Sequence, residues 1–229
     1  LPPGNVFANA SSVHEASTAE LAVALTLAAQ RGIPGFVLAQ HNGGHWSPIF
    51  AQSLADRRVL LVGFGGVGKA IAARLAPFEV ELTAVATSAR VEAGVEVHPI
   101  ADLQALLPEA EVVIVSLPLS EATTRIVDDA FLSAMRPGAL LVNVGRGTLV
   151  DTDALIAHAS AGRIRAALDV TDPEPLPDGH PLWSTPGVLI APHVGGATSA
   201  MVPRMARLIH AQAERMIGGE APLNVVLRT

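Results

Sequence analysis

Three glycines near residue 65 have the spacing of a turn that binds phosphate. In "VLLVGFGGVGKAIAARL" (59–75), Gly63, Gly65 and Gly68 fit G-x-G-x-x-G, the turn that receives the pyrophosphate of a dinucleotide. In this interpretation Gly63 permits the tight turn, Gly65 lets the pyrophosphate approach, and Gly68 lets the following helix pack closely on the strand. The helix N-terminus then offers free N–H groups to the phosphates.

The same stretch also fits most of G-x-x-x-x-G-K-[ST], the loop that binds a nucleoside triphosphate. That loop needs a Ser or Thr hydroxyl after its Lys to bind Mg²⁺, and here Ala70 follows Lys69. The dinucleotide interpretation is therefore favoured. A glycine-rich turn that binds nothing is the structural alternative.

The end of the second strand indicates which dinucleotide to expect. An acidic residue about 20 positions beyond the glycine turn normally bonds the ribose 2′-hydroxyl of NAD. Here the strand ends "TAVATSAR", so Ala86 stands at the position of the acid and is followed by Thr87, Ser88 and Arg90. Hydroxyls and an Arg can bind a 2′-phosphate that a carboxylate would repel. The sequence predicts a preference for NADP; the alternative is a solvated Arg90 and weak NAD binding through Ser88.

An Arg, an acid and a His follow three later apolar runs, in "GRGTLVD", "DVTDPEP" and "PHVGGATS". A His can take up a hydroxyl proton as hydride leaves, because it titrates near neutrality. A carboxylate beside it fixes the tautomer, and an Arg binds a substrate carboxylate in bidentate geometry. Arg146, an acid of "DVTDPEP" and His193 therefore favour hydride transfer at a carbon that bears oxygen, without a metal.

Apolar runs alternate with helical patterns from residue 59 onward. The patterns predict strands at 59–64, 80–86, 95–99, 111–117, 139–144, 165–170 and 187–192, and helices at 66–76, 101–107, 127–135, 151–161 and 198–217. This alternation predicts an α/β fold, a Rossmann-type doubly wound parallel sheet. Ligands of such sheets bind beyond the carboxyl ends of the strands. The glycine turn and the three candidate side chains are therefore expected at one edge.

The region before the first strand predicts one helix and one loop. "SSVHEASTAELAVALTLAAQRG" predicts a helix from Thr18 to Arg31, with Ser17 as N-cap and Gly32 as terminator. "AQHNGGHWSP" (39–48) is expected to be a loop that Trp46 anchors.

Composition narrows the function classes. The 229 residues have a formal charge of −6 and no basic run, so nucleic acid is not expected as a partner. There is no Cys, which excludes thiolate metal sites and fits a reducing, cytoplasmic location. His41 and His45 have the spacing of a helical metal pair, but two glycines lie between them, and no metal is predicted. No apolar stretch reaches the roughly 20 residues of a membrane span, and a membrane partner is not expected.

Together these stretches resemble the D-isomer-specific 2-hydroxyacid dehydrogenases, a family that includes phosphoglycerate dehydrogenase and glyoxylate/hydroxypyruvate reductases. The resemblance covers about residues 5–226 and is strongest in the glycine turn, "NVGRGTLVDTDAL", "AALDVTDPEPLP" and "LIAPHVGGAT". It implies that Arg146 binds the substrate carboxylate and that Glu174, and not the nearby Asp172, is the partner of the catalytic His193.

The resemblance also implies contacts with the cofactor. Asp169 matches the residue at the nicotinamide carboxamide, and Ala86 departs from the usual Asp of the family. The full set of predicted cofactor-binding residues is Gly63, Gly65, Gly66, Val67, Gly68, Thr87, Ser88, Arg90, Leu117, Pro118, Gly145, Asp169 and Gly195.

The resemblance further implies a division into domains. Residues 1–56 would hold a remnant of a substrate domain, a linker and a crossing helix. Residues 57–196 would form the dinucleotide-binding domain, and residues 197–229 a helix that returns towards the substrate domain. Most of the substrate domain would be absent from this chain.

The implied function is hydride transfer between NADP(H) or NAD(H) and a small D-2-hydroxy or 2-keto acid, by a cytoplasmic homodimer. Two alternatives stay open. One is a non-enzymatic module that senses dinucleotides, as corepressors of this fold do. The other is a cofactor-binding fragment that is inactive by itself.

Overall fold

The computed structural model describes residues 2–44 and 46–229 and has an α/β architecture. Each predicted strand is present, usually shortened by one or two residues at its ends. The strands are β1 (Val6–Ala8), β2 (Arg58–Val62), β3 (Glu81–Ala86), β4 (Arg90–Glu92), β5 (Val95–Pro99), β6 (Val112–Val115), β7 (Leu140–Asn143), β8 (Arg165–Leu168), β9 (Val188–Ile190) and β10 (Val225–Arg228).

Helices alternate with the strands, as the sequence predicts. They are α1 (Glu15–Arg31), α2 (Ile33–His41), α3 (Gly66–Leu75), α4 (Leu103–Leu106), α5 (Asp129–Ala134), α6 (Thr152–Ser160) and α7 (Met201–Ile217). The carboxylates of Asp128 and Asp151 cap α5 and α6 by accepting the N–H groups of Phe131 and Ala154. These caps satisfy N–H groups that a helix start leaves free.

Eight strands form one sheet in the order β4-β5-β3-β2-β6-β7-β8-β9. All neighbours are parallel except β4 and β5. The chain runs outward from β2 through β3 to β5, then returns to β6 on the other side of β2 and continues to β9. The reversal between β2 and β6 is the switch point beside which sheets of this kind bind ligands. The predicted doubly wound parallel sheet is confirmed.

The sheet is covered on both faces, which explains its continuous apolar strands. Leu60 and Val62 of β2 point into a core that α5 and α6 help to form. Their neighbours Val59 and Leu61 point into a second core that includes residues of α1 and α3. Burial of each such side chain stabilises the fold by about 1.5–3 kcal/mol.

Helix α1 begins three residues earlier than predicted and packs against α3. Ser17 is not its N-cap, because it lies inside the helix as the third residue; its hydroxyl is 2.9 Å from the hydroxyl of Thr198. Its predicted end is confirmed. Gly32 has a φ of +69° and donates its N–H to the carbonyl of Ala28, a conformation that favours glycine.

The predicted loop at 39–48 is wrong in its first part, because α2 extends to His41. Helix α2 buries none of its side chains and therefore has no amphipathic pattern to reveal it. Trp46 does not anchor the loop, since it is 97% exposed. His45, considered above as half of a metal pair, lies outside the described residues.

Two short pairings escaped the sequence analysis. Strand β1 pairs antiparallel with β10, which joins the two ends of the described chain. Strand β4 pairs antiparallel with β5 at the edge of the main sheet. Strands β1 and β4 have three residues each, too few for a period of two to be recognised.

Among the described residues, no single helix is long and apolar enough to cross a membrane. Helices α1 and α2 pass that test only when taken together, and they are bent by 68° at their junction.

Candidate functional site

The glycine turn lies between β2 and α3, at the carboxyl end of the sheet. Gly63 has a φ of +107°, which favours glycine. A Cβ at Gly68 would lie 2.2 Å from the carbonyl oxygen of Gly63, so the helix packs closely on the turn. A Cβ at Gly65 would meet no atom within 4 Å. The turn is therefore closed towards the protein at Gly68 and open on its outer side at Gly65, as a pyrophosphate requires.

Neighbouring residues of the turn complete this surface. Gly66 is the first residue of α3 and lies against the carboxylate of Glu15. Val67 packs on the core beneath. Lys69 forms an ion pair with Glu92 at 2.5 Å, which also disfavours a triphosphate loop, where the Lys binds phosphate.

The segments that follow the carboxyl ends of β6 and β7 contact the glycine turn. The Ser116 hydroxyl donates a hydrogen bond of 3.1 Å to the Gly63 carbonyl, and a Cβ at Gly63 would be 3.1 Å from the Leu117 nitrogen. Pro118 follows and is exposed. A Cβ at Gly145 would lie 2.9 Å from the Leu117 carbonyl oxygen. The predicted cofactor-binding residues that follow β2, β6 and β7 therefore form one continuous surface, the rim, at the carboxyl edge of the sheet.

His193 and Glu174 are in contact. The Nδ1 atom of His193 lies 2.5 Å from Oε1 of Glu174, and both side chains are about half exposed. His193 follows β9 with a φ of +53°, a conformation that non-glycine residues adopt rarely. Strained backbone of this kind is frequent at functional sites. The two residues that the family resemblance pairs are therefore in contact.

Asp169, which follows β8, holds the segment that carries His193. Its Oδ1 accepts the N–H of Val194 at 2.7 Å and its Oδ2 accepts the N–H of Gly195 at 3.0 Å. The His193 N–H in turn donates to the Asp169 carbonyl at 2.7 Å. Asp169 is 2% exposed, so its carboxylate is a buried support for this segment.

Arg146 and His193 line one cleft of about 330 Å³, together with His14, Thr18, Val144, Asp169, Gly196 and Ala197. The Arg146 side chain is exposed and donates a hydrogen bond of 2.6 Å to the Gly145 carbonyl. The next residue, Gly147, has no room for a Cβ, which would lie 1.8 Å from the Thr171 carbonyl. Close packing at Gly147 therefore holds the β7 and β8 exits together beneath Arg146.

The residues expected to select the cofactor follow β3. Thr87 and Ser88 are exposed. The Arg90 guanidinium is not simply solvated: its Nε is 2.8 Å from Oε2 of Glu92, and its Nη1 donates to the Ser88 carbonyl at 3.0 Å. Hydrogen bonds from Lys69 and Arg90 lower the pKa of the Glu92 carboxyl. Glu92 has no counterpart in the sequence-based prediction.

Residues 23–195 match the family described as "D-isomer specific 2-hydroxyacid dehydrogenase, NAD binding domain". The chain belongs to this family. The matched range contains the glycine turn and the Glu174–His193 pair of this 2-hydroxyacid dehydrogenase domain.

Glyoxylate reductases are similar to most of this family member. A mouse glyoxylate reductase/hydroxypyruvate reductase is 38% identical over 192 residues, which are 80% of this chain and 58% of the mouse protein. A glyoxylate reductase of Thermofilum pendens is 36% identical over 182 residues, which are 77% of this chain and 54% of the relative. The chain thus spans little more than half the length of these two relatives.

Solved structures share the fold of this family member. The TT0316 protein of Thermus thermophilus is 34% identical, with a TM-score of 0.86 over 97% of this chain and 71% of that one. A D-isomer specific 2-hydroxyacid dehydrogenase of Xanthobacter autotrophicus Py2, in complex with NADPH and MES, is 32% identical. Its TM-score is 0.83, over 99% of this chain and 92% of that chain.

The sequence analysis found no support for a role of His14, yet the structure brings it to the cleft. The Nδ1 atom of His14 is buried and has no hydrogen-bond partner among the described residues. A Cβ at Gly196 would be 2.8 Å from it. No local signal marks His14, because its position depends on how the start of α1 packs beside the segment that follows β9.

Proposed function

We propose that this chain is the cofactor-binding part of a D-2-hydroxyacid dehydrogenase that reduces small 2-keto acids with NADPH or NADH. The observation that supports this most directly is the contact between His193 and Glu174 beside the cleft that Arg146 also lines. The names of the mouse and Thermofilum relatives support 2-keto acids such as glyoxylate and hydroxypyruvate as substrates.

His193 acts as the general acid in this proposal. Its Nδ1 faces Glu174, so Nε2 is the ring nitrogen left to give a proton to the keto oxygen. Glu174 fixes that tautomer and stabilises the imidazolium, and Arg146 binds the substrate carboxylate. Asp169 acts as a positioning residue for His193 through its bonds to Val194 and Gly195.

The dinucleotide is proposed to bind along the rim from the glycine turn to the β9 exit, and when bound it supplies the hydride. The open face of Gly65 and the free N–H groups of α3 fit its pyrophosphate. The remaining predicted contacts, at Leu117, Pro118 and Gly195, lie on the same rim. We propose that NADP(H) is preferred, because Ala86 replaces the usual acid and two hydroxyls and Arg90 follow it.

The test combines binding and turnover. Calorimetric titration with NADPH and NADH is expected to detect both, NADPH more tightly. In the intact protein, with glyoxylate or hydroxypyruvate as substrate, His193→Ala is expected to lower kcat by about 10²–10⁴-fold and to leave NADPH binding unchanged. His210→Ala is the control, since His210 is exposed on α7 and contacts Glu214.

Each other outcome has a distinct meaning. Full activity of His193→Ala removes His193 from the mechanism. Dinucleotide binding without turnover of any 2-keto acid supports the sensing module or the inactive fragment. Tighter binding of NADH overturns the preference for NADP, and no binding of either dinucleotide overturns the proposed function.

We further propose a cytoplasmic homodimer. The lack of cysteine supports the location. The dimer is supported by an apolar surface formed by α2 and the segment after it, in which large side chains are exposed: Phe36, Val37, Leu38, Trp46, Ile49 and Phe50. Contiguous apolar surface of this kind is typical of sites where proteins associate.

A further inference from the structure

Lys69, Glu92 and Arg90 form a compact charged cluster. The Glu92 carboxylate bridges the two cations, with Oε1 2.5 Å from Lys69 Nζ and Oε2 2.8 Å from Arg90 Nε. All three side chains are partly exposed, so a solute can reach them. One carboxylate thus neutralises only one of two adjacent positive charges.

The cluster lies between the two segments that enclose the ribose in a sheet of this kind. Lys69 is in the first turn of α3, directly after the glycine turn, and Arg90 begins the strand that follows the exit of β3. Arg90 Nη2 is 3.4 Å from the carbonyl of Phe64, within the glycine turn, and its guanidinium lies 5.9 Å from the Phe64 ring centre. The ribose that follows the pyrophosphate binds near this β3 exit.

A 2′-phosphate and the Glu92 carboxylate would compete for the same donors. A phosphate monoester has nearly two negative charges and three acceptor oxygens, and it binds best to several cations at once. Its hydrogen bonds to Lys69 and Arg90 would replace those of Glu92, and the displaced carboxylate would then lie near a like charge. A free ribose 2′-hydroxyl carries no charge and meets no such competition.

We infer that Glu92 moderates the proposed preference for NADP(H): by holding Lys69 and Arg90, its carboxylate lowers the affinity for NADP(H) relative to that for NAD(H). This inference rests on the proposed function, because it requires a dinucleotide at the glycine turn. It assigns Lys69 to the 2′-phosphate site together with Arg90, and it makes Glu92 a specificity residue that contacts neither the substrate nor the nicotinamide.

The test measures binding of 2′,5′-ADP and 5′-AMP by calorimetry, so it does not depend on turnover. Glu92→Gln keeps the shape of the side chain and removes its charge. It is expected to raise the affinity for 2′,5′-ADP by about tenfold, while the affinity for 5′-AMP changes by less than about twofold. Glu96→Gln is the matched control, because Glu96 pairs with Val91 across β4 and β5 and contacts His98.

A second variant tests whether Lys69 is a cation that binds the 2′-phosphate. In Glu92→Gln/Lys69→Gln most of the gain for 2′,5′-ADP is expected to disappear. An unchanged ratio of the two affinities in Glu92→Gln, or an equal gain in Glu96→Gln, overturns the role of Glu92. A gain that survives loss of Lys69 overturns the assignment of Lys69. If the unaltered chain binds neither nucleotide, the same comparison is made with NADPH and NADH, and absence of binding of both dinucleotides means that the proposed function itself fails.

Discussion

Gly65 and Gly68 are three residues apart, yet a methyl group at each would meet different surroundings. At Gly68 the new Cβ would lie 2.2 Å from a backbone carbonyl oxygen, which cannot turn aside as a side chain can. At Gly65 it would project into open space, and the backbone there has the extended φ of −83° that other residues adopt. One glycine is needed for packing, and the other leaves room for a ligand.

Substitution by Ala is expected to separate these two roles. Gly68→Ala should lower the free energy of unfolding by about 1–3 kcal/mol, because it overpacks the turn against α3. Gly65→Ala should change that free energy by less than about 0.5 kcal/mol and weaken dinucleotide binding at least tenfold, by roughly 1.4 kcal/mol or more. Urea denaturation and calorimetric titration measure the two effects. Unweakened binding by Gly65→Ala would contradict a pyrophosphate at this position.

At the scale of elements, an ion pair joins the starts of β2 and β6 at the edge opposite the cleft. Arg57 Nη1 lies 2.5 Å from the Glu111 carboxylate, which also accepts the Arg58 N–H at 3.2 Å. Burial opposes ionisation of Glu111, but the hydrogen bonds from Arg57 and Arg58 outweigh it and lower the pKa of the carboxyl. The pair therefore strengthens the contact between the two strands at the switch point.

Glu111→Gln is expected to lower the free energy of unfolding by about 1–2 kcal/mol at neutral pH. Because the pKa of Glu111 is lowered by folding, its contribution is complete above the ordinary value of 4.5 and is lost as the pH falls through the folded value. The difference between the variant and the unaltered chain should therefore shrink below about pH 4. Urea denaturation at several pH values measures this.

Glu109→Gln provides the control for this pair. Glu109 forms an ion pair with Arg58, but its side chain is 67% exposed, against 18% for Glu111. Solvent screens such a pair, so its loss should cost less than about 0.5 kcal/mol. If both variants lowered the free energy of unfolding equally, the partial burial of Glu111 at the start of β6 would not explain its contribution to stability.

At the scale of the whole molecule, one group of exposed apolar side chains lies on α2 and the segment that follows. Helix α2 packs none of its side chains into either core, and Leu38 is 60% exposed. Water contact with this much apolar area is unfavourable and would be relieved by a symmetric contact between two copies. The same helix pair, α1 and α2, thus links the core of one chain to the proposed dimer interface.

Leu38→Glu is expected to convert a dimer into a monomer. Light scattering during size-exclusion chromatography should give twice the chain mass of 23.6 kDa for the unaltered protein and that mass itself for the variant. A charge buried in an apolar interface is costly, which is why one substitution should suffice. Gln104→Glu, which adds the same charge at an exposed position of α4 outside this surface, is the control. A monomeric unaltered chain would refute the proposed homodimer.

The fold was predictable from the sequence because its signals are local. Continuous apolar runs mark strands that are covered on both faces, and the alternation with helices leaves the parallel sheet as the simplest arrangement. Helix α2 and strand β4 lack such signals, since one buries no side chain and the other has three residues. The prediction that Trp46 anchors its loop was wrong for a related reason. An aromatic side chain is buried only where another element of the structure covers it.

The sequence alone determined that Arg146, Glu174 and His193 lie at one edge of the sheet. Each follows a predicted strand, and the carboxyl ends of parallel strands lie at the same edge. Only the tertiary structure decided which charges meet within hydrogen-bond distance. It joined His193 to Glu174, brought His14 into the cleft wall, and placed Glu92 between Lys69 and Arg90. Such contacts depend on packing between elements far apart in the chain, and the strength of an ion pair falls steeply with distance and exposure.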